Sequence, residues 1–130
     1  MEQILYVEDI HGIKKQIYEN YFTAIEQKYN QNPYHNQHHA ADVTCSFIYF
    51  IMNSFLKVQL ENIENLAIVI ACLGHDIAHP GLNNRFLVNN KSEIAMTYND
   101  ISVLENMHSS LTFSTMKDFK DCDIMSCFND

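Results

Sequence analysis

The chain has 130 residues, with 16 acidic side chains against 8 basic ones and a formal net charge of −8. That length bounds it to one domain, and the acidic balance argues against nonspecific nucleic-acid binding, which needs a basic face. An anionic substrate is not excluded, because bound cations reverse a local field.

Hydrophobic residues make up 47% of the chain, enough for a core, and 3 Gly and 2 Pro favour helices over a turn-rich β fold. Cys45, Cys72, Cys122 and Cys127 form no CxxC pair, which fits a reducing, cytoplasmic setting. Cys45 and Cys72 fall in apolar helical patterns and are expected to be core thiols. The N-terminus carries Glu2 and no long apolar run, so no signal peptide is expected. No segment reaches the ~18 apolar residues of a membrane span.

Residues 1 to 10 read as a short lead-in. Ile13, Ile17, Tyr21, Phe22, Ile25 and Tyr29 recur at helical spacing and predict a first helix with its aromatics in the core. Asn30 to Pro33 break it. Pro33 suits the first turn of a second helix, predicted from about Tyr34 to Leu56 with a buried stripe of Val43, Phe47, Phe50, Ile51 and Phe55. A third, from about Glu61 to Gly74, buries Ile63, Leu66, Ala67, Val69, Ile70 and Leu73. Pro80 and Gly81 turn the chain sharply after it. Residues 77 to 91 read as irregular with a short turn of helix. Ser92 caps a short helix that reaches Tyr98. Asn99-Asp100 break that helix, and Ser102-Val103-Leu104-Glu105 fits a capping box, S-x-x-E, opening a last helix to about Met116. The tail after Lys117 is mixed and acidic. The fold class is therefore all-α, a compact multi-helix array.

The chemistry centres on Ala71 to Gly81, ACLGHDIAHPG. His75 and Asp76 close an apolar helix where it meets a polar cavity or the surface. An imidazole and a carboxylate held there are good ligands for a divalent metal. Upstream, His35 and His39 are four apart and would share one helix face. A zinc protease needs Glu directly after the first His, where this chain has Asn36. Alone, that cluster fits surface or capping histidines equally well, and His38 need not take part. Together, His39, His75 and Asp76 form a mixed N/O set suited to Zn(II), Fe(II) or Mn(II). Asp76 could bridge to a second, harder ion such as Mg(II), and paired metals are a standard arrangement for phosphoester hydrolysis. His35, one turn from His39, is placed to protonate a leaving alkoxide. Glu105 and His108 read either as cap and helix flank or as residues that hold metal-bound waters.

Three stretches resemble one family. Tyr34-His35-Asn36-x-x-His39-Ala40-x-Asp42-Val43, then His75-Asp76-x-x-His79-Pro80-Gly81-x-Asn83-Asn84, then Tyr98-Asn99-Asp100-x-Ser102-Val103-Leu104-Glu105-Asn106-x-His108 are similar, in order and spacing, to the signatures of the class I 3′,5′-cyclic-nucleotide phosphodiesterases. The resemblance covers about residues 22 to 113. It implies metal-dependent hydrolysis of cyclic AMP or cyclic GMP to the 5′-monophosphate in signal transduction. It implies His35 as proton donor to the leaving O3′ and His39, His75 and Asp76 as ligands of two divalent ions, zinc and magnesium or manganese. Asp76 would be shared between them, and His35 and Asp76 would both meet substrate. His79 and Glu105 would order metal-bound waters.

Two departures stand out. Met107 replaces the first of two consecutive histidines, which removes a polar contact near the site. The family's C-terminal part, with a further aspartate ligand, a purine-binding glutamine and a base-stacking aromatic, has no match before Asp130; Asp118, Asp121 and Asp123 lack the context. Residues 1–130 are therefore expected to be the N-terminal part of a catalytic domain, with exposed apolar faces and weak activity in isolation. Its partner would be a C-terminal half or a second copy as a homodimer. The competing readings are an inactive fragment or non-catalytic binding module, and another metal phosphohydrolase of the HD type. The Tyr98–Glu105 signature weighs against the last.

Overall fold

The structure, a computed structural model, describes residues 13–128. The lead-in at residues 1 to 10 and Asp130 lie outside the described residues. Every regular element among those residues is helical: α1 (Lys15–Gln27), α2 (Gln37–Met52), α3 (Asn62–Gly74), α4 (Asn84–Asn89), α5 (Glu93–Thr97) and α6 (Val103–Asp118), with 3₁₀ turns at Phe55–Val58, Lys120–Cys122 and Met125–Phe128. None of the described helices is long and apolar enough to cross a membrane.

The α1 periodicity holds. Ile13, Tyr18, Tyr21, Ile25 and Tyr29 are buried in the main core. Buried phenols still need acceptors, and those of Tyr21 and Tyr29 find main-chain oxygens. Tyr21 Oη donates to Thr112 O at 3.1 Å and Tyr29 Oη to Leu73 O at 2.8 Å. These bonds tie α1 to α6, and the connection after α1 to α3. Burial pushes the Tyr29 phenol up to about 12, so it stays a donor.

The second helix begins later than the proline suggested. Asn36 is its N-cap, in extended backbone, and its Oδ1 accepts from the His38 and His39 N–H groups at 3.0 and 3.1 Å. A side chain that satisfies orphan donors outcompetes a residue that merely tolerates the first turn. Pro33, Tyr34 and His35 therefore lie in the connection, and His35 does not share a helix face with His39. The buried side of α2 is Ala40, Thr44 and Ile51, with Ile48 half-covered. Thr44 bonds back to Ala40 O at 2.7 Å, so its hydroxyl is satisfied in the core. Phe47, Phe50 and Phe55 are 45%, 68% and 70% exposed, which corrects the predicted stripe, and Cys45 is exposed, not a core thiol. The apolar arc of α2 is wider than its described neighbours cover, as for a helix meant for a larger core.

α3 opens with a reciprocal capping box between Glu61 and Glu64 and buries Leu66, Val69 and Cys72; Ala67 faces outward instead. At its end α3 crosses α6 so closely that a Cβ on Gly74 would fall inside the Thr112 side chain. Thr112 Oγ1 donates to His108 O at 2.8 Å, so it cannot simply swing away without losing that bond.

Asn83 caps α4 through Phe86 N at 2.9 Å, and Ser92 caps α5 through Ala95 N at 3.2 Å. The capping box predicted at Ser102 does not form. Ser102 is left-handed at φ 41° with no side-chain cap bond, whereas the box requires an extended N-cap. The donor at the start of α6 is met by Asn84, whose Oδ1 accepts from Leu104 N at 2.9 Å. Leu87, Ala95, Val103, Leu104 and Met107 make a second, smaller core. Met107 thus serves packing between short helices and not the polar site. The described part of the acidic tail also packs on the core. Cys122 and Ile124 are buried in the main core, and Asn20 Nδ2 donates to Asp121 O at 3.2 Å.

Gly74→Ala should lower stability by about 1–3 kcal/mol through overpacking, read as a fall in the urea midpoint with helix content kept. Thr112→Ala in the same chain should recover part of the loss, because the obstructing atoms are gone.

Candidate metal centre

The last carbonyls of an α-helix lack intrahelical donors. His75, at the C-cap of α3, meets one of them, with Nδ1 2.8 Å from Cys72 O. A carbonyl only accepts, so Nδ1 carries the proton and Nε2 presents its lone pair outward. That lone pair lies 3.3 Å from His39 Nε2 and 3.2 Å from Asp76 Oδ2; His39 Nε2 and Asp76 Oδ2 are 3.4 Å apart. His39 is brought there from the first turn of α2, whose start Asn36 fixes.

Three electron-pair donors in so tight a triangle call for a proton or a cation among them. The dimensions suit a metal: bonds of 2.0–2.1 Å in a tetrahedral site put neighbouring ligand atoms about 3.3–3.4 Å apart. The group is only part-open to solvent, with Asp76 15%, His39 18% and His75 34% exposed. His39, His75 and Asp76 therefore fit a divalent metal by geometry and by donor chemistry.

The other oxygen of Asp76, Oδ1, faces His108 Nε2 at 3.9 Å. Asp76, His79 and His108 form a second close group, but its ring nitrogens are differently committed. His108 Nδ1 donates to Ile77 O at 2.6 Å, which leaves Nε2 as an acceptor. His79 Nδ1 accepts the Gly81 N–H at 2.9 Å, so the neutral ring carries its proton on Nε2. Both nitrogens of His79 are thus spoken for, and this group is no three-ligand cage. It offers one N–H donor, one nitrogen acceptor and one carboxylate oxygen, the mixture that ordered waters or a hydrated ion require. Burial lowers the proton affinity of both rings, with neighbouring His35 adding to the effect on His79.

His35 lies parallel to His79, ring centroids 3.9 Å apart and planes within 6°. Tyr34 meets His35 edge-on at 5.0 Å and covers His39 at 4.5 Å. His38 is exposed. Glu105 is exposed at the start of α6 and its Oε2 accepts from Asn84 Nδ2 at 2.9 Å. That bond, first among several causes, holds its carboxyl below the usual range, and His108 and His79 act in the same direction. One Asn84 amide thus both caps α6 and orients Glu105. Sequence reasoning missed it, although its signal was present: consecutive asparagines one residue past a Pro-Gly turn are natural side-chain partners for main chain. Between α3 and α6 runs an apolar cavity of about 410 Å³, lined by Ile63, Leu66, Ile70, Phe113 and Met116 and reaching His75, Glu105 and His108.

Residues 34–130 match the family described as 3'5'-cyclic nucleotide phosphodiesterase. The chain is 44% identical over 102 residues to 3',5'-cyclic-AMP phosphodiesterase 4 of Dictyostelium discoideum, covering 78% of this chain and 10% of that protein. It is 39% identical over 120 residues to the dual 3',5'-cyclic-AMP and -GMP phosphodiesterase beta of Plasmodium falciparum, covering 92% and 10%. In structure it is similar to the phosphodiesterase domain of Salpingoeca rosetta rhodopsin phosphodiesterase, with a TM-score of 0.87 and 36% identity over 99% of this chain and 39% of that one. The chain spans about a tenth of those two curated relatives and well under half of the solved domain.

Asn84→Ala should cost about 1 kcal/mol, as loss of a helix cap, measured by thermal unfolding. It should also raise the Glu105 pKa, since the lost N–H favoured the charged carboxylate. The stability this bond adds is present above the ordinary carboxylate range and lost as pH falls through the lowered Glu105 pKa. That dependence should weaken in the variant, leaving the part due to the backbone, His108 and His79.

Proposed function

The chain belongs to the 3'5'-cyclic nucleotide phosphodiesterase family, and from that membership we propose that it is the metal-bearing part of a larger catalytic domain that hydrolyses cyclic AMP or cyclic GMP to the 5′-monophosphate. The observation that carries this reading is the 3.2–3.4 Å triangle of His39, His75 and Asp76 beside the stacked pair of His35 and His79. In this proposal His39, His75 and Asp76 would hold a divalent ion such as zinc, and Asp76 would also serve a second ion, magnesium or manganese. Divalent ions so bound would polarise the phosphate oxygens and lower the pKa of a water to near neutrality.

The chain's own residues do the rest. Asp76 spans the two halves of the site with its two oxygens. The His79 Nε2–H donates to a water or a phosphate oxygen, while His108 Nε2 and the Glu105 carboxylate accept from waters. Together these fix the orientation of the attacking water, because each of its hydrogens and lone pairs meets a complementary group. His35, as imidazolium, gives its proton to O3′ as the P–O3′ bond breaks, which leaves a 3′-hydroxyl and a 5′-phosphate. A neutral His79 lies beneath it, so the cation that forms on His35 meets no like charge in the stack. The rest of the domain, or a second copy of the chain, would cover the exposed faces of α2, and a reducing cytoplasmic setting belongs to the same proposal.

The test separates binding from turnover. On the chain itself, Co(II) or Zn(II) binding is measured by absorption and calorimetry. Turnover is measured after residues 13–128 replace the equivalent segment of the Salpingoeca rosetta domain. Asp76→Ala should abolish metal binding and hydrolysis with helix content intact; unchanged hydrolysis would refute the reading. His35→Gln should keep the metal and lose about 10²–10⁴-fold in kcat.

A further inference from the structure

The connection between α1 and α2 is rich in asparagine, and its amides close on the turn that follows Asp76. Asn30 Nδ2 donates to Ala78 O at 3.2 Å and to His79 O at 2.9 Å. Asn32 Nδ2 donates to His79 O at 2.7 Å and to His35 O at 3.1 Å. Asn36 Nδ2 in turn donates to Asn32 O at 2.8 Å. An amide group has two N–H donors, and Asn32 spends one on each histidine. Its Oδ1 faces Gly81, where a Cβ would stand 3.1 Å away. Gly81 has φ +75° and gives its N–H to His79.

His35 precedes the N-cap of α2, so helix hydrogen bonds do not hold its main chain. Its ring nevertheless lies within 6° of parallel to that of His79, from a distant part of the sequence. Stacking between two imidazoles is weak, and it persists only where both main chains are fixed at the right separation. We propose that Asn32 is a positioning residue for His35: its amide clasps the main-chain oxygens of His35 and His79 and so sets the ring-on-ring pair. Asn30 serves only the 78–79 side of the clasp, since its bonds do not include His35. Motif reading treats Asn30 to Pro33 as a helix breaker alone. The functional consequence rests on the reading of His35 as the proton donor; the geometric claim does not.

The test uses the whole chain with ¹⁵N- and ¹³C-labelled histidine, whose His35 ring signals are assigned by their loss in His35→Gln. Stacking on His79 shifts those signals by ring current. Asn32→Asp keeps the shape but loses both N–H donors, and should move the His35 signals toward the value of free imidazole. Zn(II) affinity and helix content should stay as in the parent. Asn30→Ala should leave the His35 signals in place. In the Salpingoeca rosetta replacement domain, Asn32→Asp should lower kcat about 10–100-fold with KM within about twofold. Unmoved His35 signals in Asn32→Asp overturn the proposal. So does an equal response to Asn30→Ala, or loss of helix content in Asn32→Asp, since either makes Asn32 a general structural residue. If the replacement domain with the parent segment shows no hydrolysis, the proposed function fails while the ring signals still decide the clasp.

Discussion

The site hangs on how α3 ends. Three chemical facts coincide there. The helix has a carbonyl without a partner, His75 turns its Nδ1–H onto it, and Nε2 is thereby committed as an outward lone pair. That contact makes the choice, because the tautomer of a neutral imidazole follows from what its second nitrogen meets. The close crossing of Gly74 and Thr112 holds the same helix end against α6, which carries His108 and Glu105. The packing of two helices and the protonation of one ring are thus parts of a single arrangement.

Around that point the polar groups sort by sign. His75 and His108 both donate from Nδ1 to main-chain carbonyls and leave Nε2 as an acceptor toward the site; His79 does the reverse by accepting from Gly81. Two close groups of His and Asp look alike when only residue types and distances are counted. They differ once hydrogens are followed. One brings two imidazole nitrogens and a carboxylate oxygen within 3.4 Å of one another and suits an ion directly, and the other mixes donor and acceptor and suits water. An acidic chain with its buried imidazoles held neutral offers little positive charge of its own toward a phosphate. On the proposed function, the positive field toward a phosphate would come from bound cations.

Much of this was legible in the sequence, and what was not has identifiable causes. The helices showed because their apolar positions recur at the right period, and His39, His75 and Asp76 stood out because their spacing carries chemistry. The start of α2 was misread because Pro33 tolerates a first turn while Asn36, three residues on, actively satisfies one. The stripe of α2 was misread because its apolar arc exceeds the contact it makes, and periodicity gives a direction without saying what lies there. Ser102 and Glu105 spell a capping box, yet the left-handed turn at Ser102 hands the task to Asn84, far away in sequence. The misread starts of α2 and α6 share a root. A side-chain amide binds main chain across space, and such pairings leave no period.

The burial of α1 has a further consequence. Its core face is covered in part by Met116, Cys122 and Ile124, from nearly the opposite end of the described chain. A ribosome adds about 5–20 residues per second, so for several seconds the first helix emerges with part of its cover still unmade. Such long-range closure is slow compared with local helix formation. During synthesis the nascent N-terminal segment must wait, and a holdase that shields Tyr18, Tyr21 and Ile25 would act at the stage when the polypeptide is most exposed to misassembly.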